Sequence, residues 1–135
     1  MFIAPNTEIH IMSVKNKKQF GIWMDSQNAT IIGREENEAG NFKILAHEKN
    51  VESTGNSSEH SSNNAERSLQ NKYFKGIVAH MQNIDEVHIT GTGQVQEQFV
   101  KFLAESPQFK NAVSKQSTSN KMSDEKLVDF ISSQF

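Results

Sequence analysis

No cysteine occurs in the 135 residues. Disulfides, thiolate nucleophiles and zinc–thiolate sites are thereby excluded. There is no apolar run approaching the roughly 18 residues that a membrane-spanning helix needs. The first residues, MFIAPNTEIHIMSVKNKK, have no continuous apolar core after a basic start, so they do not read as a secretory signal. An excess of one charge is missing too: 14 basic and 16 acidic side chains leave a formal net charge of −2. That balance provides no long-range pull toward nucleic acid or an anionic membrane. The chain reads as cytoplasmic, with no membrane partner.

At this length the chain makes one domain with a core that needs no staples. Residues 1–16 read as a loose extension, or as residues upstream of a start at Met12, and 17–135 as the domain. QFGIWMD (19–25) is apolar on both faces, as a doubly buried strand should be. Asp25-Ser-Gln-Asn is turn chemistry, and ATIIGR (29–34) completes a hairpin. FKILAHEKNV (42–51) is a third strand, with Phe42, Ile44 and Ala46 expected on one face. ESTGNSSEHSSNNA (52–65) has no large apolar residue and reads as a mobile loop, with Asn63 or Asn64 as cap for the next helix.

That helix, 66–83, carries an inward stripe of Leu69, Tyr73, Phe74, Ile77, Val78 and Met81. EVHIT (86–90) is a strand, and VQEQFVKFLAE (95–105) a helix facing inward through Val95, Phe99, Phe102 and Leu103. NAVSKQST (111–118) is the fifth strand. SDEKLVDFISSQF (123–135) is a helix capped by Ser123, with Leu127, Val128, Ile131 and Phe135 inward. The order β-β-β-α-β-α-β-α predicts an α/β fold: a mixed five-stranded sheet covered by helices. Right-handed crossovers then give strand order 3-2-1-4-5, that of ribonuclease H-like folds.

Gly91-Thr-Gly93 joins a strand to a helix N-terminus, where backbone N–H groups can meet an anion. The third glycine of a dinucleotide fingerprint is replaced by Gln96, and no Walker lysine follows. A structural turn at Gly91 and Gly93 is the favoured reading. Asp25, at the end of the first strand, and Glu66, at the start of the first helix, are the carboxylates a metal-dependent nuclease of this fold would use. The fourth strand ends without a third acid, so the metal set is incomplete and no catalytic residue is assigned. The histidines show no ligand spacing, and no nucleophile elbow surrounds any serine. No cofactor or small-molecule substrate is implied.

GIWMDSQNATII (21–32), YFKGIVAHMQNIDEVHITGTGQVQEQFVKFL (73–103) and NKMSDEKLVDFISSQF (120–135) resemble three blocks of a family of small bacterial proteins labelled translational machinery proteins. That family is similar to the central domain of archaeal and eukaryotic class I release factors and of the ribosome-rescue factor Pelota. The resemblance implies a structural turn at Gly91-Thr-Gly93, where the family has Gly-Pro-Gly. It also implies a loop before the long helix that enters an RNA-formed site.

Two departures stand out: the family's His after Asp25 is Ser26 here, and its Lys in the second helix is Gln96. In release factors the loop carries Gly-Gly-Gln, whose Gln assists hydrolysis of peptidyl-tRNA. This chain has Thr54, Gly55, Asn56 and Ser57 instead. The resemblance therefore implies a translation-associated, non-catalytic domain that binds the ribosome or tRNA, with His60 and Arg67 as the nearest phosphate-meeting groups. A nuclease centred on Asp25 and Glu66, or a protein-interaction module, is the alternative. Oligomeric state stays open.

Overall fold

The computed structural model describes residues 18–34, 41–50 and 59–135, the side chains of 59–66 excepted. Five strands, β1 (Gln19–Met24), β2 (Asn28–Arg34), β3 (Phe42–Lys49), β4 (Glu86–Gly91) and β5 (Val113–Thr118), form one sheet in the order β3-β2-β1-β4-β5. This is the predicted order. β1 pairs antiparallel with β2 and parallel with β4, and β4 pairs parallel with β5. The helices are α1 (Glu59–Val78), α2 (Gln94–Glu105) and α3 (Asp124–Gln134), with one 3-10 turn at Pro107–Phe109.

Both crossovers, β3 to β4 through α1 and β4 to β5 through α2, step the same way along the sheet. Crossovers of one hand then place α1 and α2 on the same face. Phe20, Ile22 and Met24 of β1, with Ile31, Val87 and Ile89, meet Tyr73, Phe74 and Ile77 of α1 and Val95, Phe99 and Leu103 of α2 there. Phe74 stands edge-on to Phe99, ring centres 5.2 Å apart, a geometry aromatic quadrupoles favour. On the opposite face Leu127 and Ile131 of α3 cover Trp23, Ile32 and Phe42. β1 is thus buried on both faces, as its apolar run predicts.

β3, α1 and Phe135 differ from expectation. β3 carries a bulge, because Ile31 faces Ala46 while the next residue, Ile32, faces Ile44. The unpaired Leu45 shifts the alternation by one. Phe42 and Ile44 therefore pack on the α3 face and Ala46 on the other, instead of all three together. α1 begins at Glu59, so the last part of the expected loop is helical and Asn63 and Asn64 lie within it. Serine and asparagine cost only tenths of a kcal/mol each inside a helix, which the packed stripe further along overrides.

α1 ends at Val78 rather than 83. His80 N–H donates to Ile77 and Met81 N–H to Val78, a tightening final turn, and Asn83 then takes φ 57°. Ser123 caps α3 as expected, its Oγ accepting from Lys126 N–H at 3.2 Å. Phe135 does not enter the core but stacks on Phe42 at 5.6 Å while staying 39% exposed.

Gly91 closes the pairing of β4 with β1. A Cβ there would overlap the Met24 carbonyl oxygen, which is backbone and cannot yield. At Gly93, φ is 115° but nothing lies within 4 Å of where a Cβ would stand. Gly91→Ala is expected to cost about 3 kcal/mol or more, combining overlap with backbone displacement. Gly93→Ala should cost only its backbone strain, about 1–2 kcal/mol. Urea unfolding of both variants checks the order; equal losses would place the constraint at the turn instead of the strand pair.

Candidate functional site

In open α/β sheets, ligands meet the protein outside the carboxyl ends of the strands. Here that edge is built by three segments: the Asp25–Asn28 turn after β1, Gly91-Thr-Gly93 after β4, and Ser119 after β5. Asp25 Oδ1 accepts from Gln27 N–H at 2.8 Å and Asn28 N–H at 2.7 Å. Its backbone N–H donates to Asn28 O at 2.9 Å, closing the hairpin. The Tyr73 hydroxyl of α1 donates to Asp25 O at 3.0 Å. Burial, then the charges of Asp25 and Glu48, hold that hydroxyl well above the usual tyrosine range, so it remains a donor. Asp25 is thus a turn-former whose carboxylate satisfies backbone.

Glu66 lies in α1, but its side chain is outside the described residues. Among the described residues no three His, Asp or Glu gather to hold a metal. Gly91 and Gly93 shape the strand-to-helix turn, with Ser119 N–H donating to Gly91 O at 2.8 Å. Gln96, in the first turn of α2, is buried; its Nε2 donates to Ser117 O at 2.8 Å and to Ile89 O at 3.3 Å. It ties the ends of β4 and β5 together with an uncharged group.

Between α1 and α2 an open crevice of about 300 Å³ is lined by Ser26, Gln70, Thr92, Gln94, Val95 and Gln98. Gln70 Nε2 spans it to Gln98 Oε1 at 2.8 Å. None of the lining groups ionises near neutral pH, so the crevice offers hydrogen bonds and no acid, base or activated nucleophile. Arg67 is exposed on α1, one turn before Gln70. His60 lies in the first turns of the same helix, its side chain outside the described residues, and Thr54, Gly55, Asn56 and Ser57 lie outside them entirely. Among the described side chains of α1, those buried in the core are Tyr73, Phe74 and Ile77, in its C-terminal half.

On the α3 face the strand register assembles residues that sequence reasoning did not group. His47, Thr30, Trp23, Thr90 and Ser117 stand side by side on the five strands. At one end Ser117 Oγ donates to Thr90 Oγ1 at 2.8 Å, and Thr90 Oγ1 shares a proton with Ser119 Oγ at 2.7 Å. His88 Nε2 meets Ser117 Oγ at 2.8 Å. At the other end His47 Nε2 lies 3.0 Å from Asp124 Oδ2. The available signal was period-two alternation of Thr90 with His88 and of Ser117 with Lys115, which is uninformative until the neighbouring strands are known.

No protein-family model matches the sequence, and no curated protein is similar to it. Solved structures are similar in fold. Pelota from Thermoplasma acidophilum superposes with a TM-score of 0.57 at 14% identity, over 95% of this chain and 37% of that one. Pelota from Archaeoglobus fulgidus gives 0.55 at 13%, over 97% and 38%. An archaeal translation termination factor gives 0.56 at 13%, over 96% and 38%. The chain therefore spans less than two-fifths of the length of each. These values establish a shared fold, the α/β sheet described above.

Asp25→Ala removes an acceptor used by two backbone donors and should cost about 1–2 kcal/mol, whereas Asp25→Asn, which keeps Oδ1, should lose less than half of that in thermal unfolding. A second expectation concerns His88, whose pKa is lowered by burial and then by Lys115. The unfolded chain then takes up the proton first. Stability is fully present above about pH 6.5 and declines as pH falls from there toward the lower folded value. Unfolding free energies of wild type and His88→Gln, compared between pH 7.5 and pH 5, should show a shallower acid-side slope in the variant; parallel profiles would contradict the assignment.

Proposed function

We propose that this chain is a translation-associated domain that binds the ribosome or tRNA without catalysing a reaction. The observation carrying this reading is the fold match to a translation termination factor and to Pelota over 95–97% of the chain. The blocks at 21–32, 73–103 and 120–135 that resemble small bacterial translational machinery proteins agree with it. The commitment of Asp25 to its turn and the uncharged lining of the α1–α2 crevice favour binding over chemistry.

The contact element in this reading is the segment Thr54, Gly55, Asn56 and Ser57 with the N-terminal half of α1, including His60 and Arg67. An exposed arginine there can take phosphate oxygens bidentately, and His60 adds a donor in either protonation state. The near-neutral chain lacks the charge for tight nucleic-acid binding by itself, so the ribosome must offer protein or shape contacts as well.

Sedimentation through a sucrose gradient tests the reading. Tagged protein in low salt, with stalled ribosomes present, should travel with the ribosomal fractions, and recovery only at the top of the gradient would rule the reading out. Gly-Ser replacement of residues 53–58, which spares α1, and Arg67→Ala should each leave the melting temperature unchanged. Each should weaken ribosome association, Arg67→Ala by about tenfold. Association that survives both changes would remove this element from the contact surface.

A further inference from the structure

Above the His47–Thr30–Trp23 half of the polar row lies a partly enclosed cavity of about 220 Å³. The row forms its floor, and Lys121, Met122, Asp124 and Leu127, from the segment that returns to start α3, form its walls. Trp23 is 3% exposed, and its indole Nε1–H is buried with no hydrogen-bond acceptor among the described residues. A buried donor without an acceptor costs more than an ordinary hydrogen bond returns, and such groups are rare in folded proteins. The rest of the row shows the contrast, since Thr90, Ser117 and Ser119 saturate one another.

We infer that this cavity is a binding site for a small carboxylate, whose oxygen accepts from the Trp23 indole and whose charge is met by Lys121. Both acids in the lining are already engaged: Asp124 with His47 at 3.0 Å and Glu48 with His80 at 2.7 Å. The Lys121 ammonium is the charge on these walls without a partner among the described residues. Met122 and Leu127 give an apolar side for a short hydrocarbon tail. The volume lies below the roughly 300–1,000 Å³ of pockets that hold drug-sized ligands, so the ligand has a few carbons. A nucleotide exceeds this volume. Occupancy would tie β1, the centre of the sheet, to the segment leading into α3. The inference is independent of ribosome association and is tested on the isolated protein.

Trp23 is the single tryptophan of the chain, so a nitrogen-15 correlation spectrum carries one indole N–H signal. Butyrate and acetate are the probes, with butyramide and acetamide as neutral counterparts of the same shape. The indole signal should move downfield and saturate with butyrate, less with acetate, and the amides should produce little change. Lys121→Met, at an exposed position, should fold normally and weaken butyrate binding about tenfold. Butyrate should also raise the melting temperature of wild type in proportion to occupancy. An indole signal unmoved by any probe would overturn the site, with a lone trapped water then satisfying the donor. Equal responses to butyrate and butyramide, or of wild type and Lys121→Met to butyrate, would overturn the carboxylate assignment.

Discussion

The pairing of β1 with β4 is the contact on which the rest of the chain depends. β1 sits at the centre of the sheet, antiparallel to β2 on one side and parallel to β4 on the other. A parallel partner cannot be reached by a tight turn; it needs a crossover long enough to return the chain to the same end. α1 is that crossover, and it lies where it does because Tyr73, Phe74 and Ile77 find the β1 residues Phe20, Ile22 and Met24 beneath them. At the closing end of the pair the absence of a side chain at Gly91 lets β4 lie against the Met24 carbonyl. The same residue starts the turn into α2. One contact therefore sets the sheet register, the helix that precedes it and the helix that follows.

Element types and their order were legible in the residues because burial leaves a periodic mark. β1 has apolar residues on both faces, and the stripes of α2 and α3 repeat at helical spacing, so the mixed sheet and strand order followed from topology rules alone. The turn chemistry of Asp25 and Gly91 was equally plain. The bulge in β3 was not: one extra residue flips the faces of Phe42 and Ile44 relative to Ala46, and the apolar pattern alone reads as a regular strand. The start of α1 was hidden by serine and asparagine, which look like loop in isolation but are tolerated where a longer helix continues. The polar row was illegible for a different reason. Its five members come from five strands, and only the three-dimensional register makes them neighbours.

The two halves of that row show how a fold treats polar groups beneath a helix. Toward β5 the hydroxyls of Thr90, Ser117 and Ser119 and the Nε2 of His88 are linked in a chain by hydrogen bonds, while His88 Nδ1 has no partner among the described residues. Such a chain fixes the position of the segment after β5 relative to the sheet, since moving any member strands its neighbours. Toward β3 the same face is open, with the Trp23 donor uncommitted among the described residues. Linked hydroxyls on one side and an uncommitted indole donor beside a cavity on the other distinguish a strut from a place for something else to bind.

The bulge at Leu45 bears on how the molecule behaves at high concentration. β3 is an edge strand, and a flat edge of eight residues would template pairing with the edge of another molecule. A bulge breaks the regular spacing of donors and acceptors along that edge and increases its twist. Lys43, His47 and Lys49 place further charge and polarity beside it. A partner strand would find matching hydrogen bonds on only one side of Leu45 before falling out of step. The irregularity that disturbs the packing pattern of β3 thus disfavours edge addition at β3.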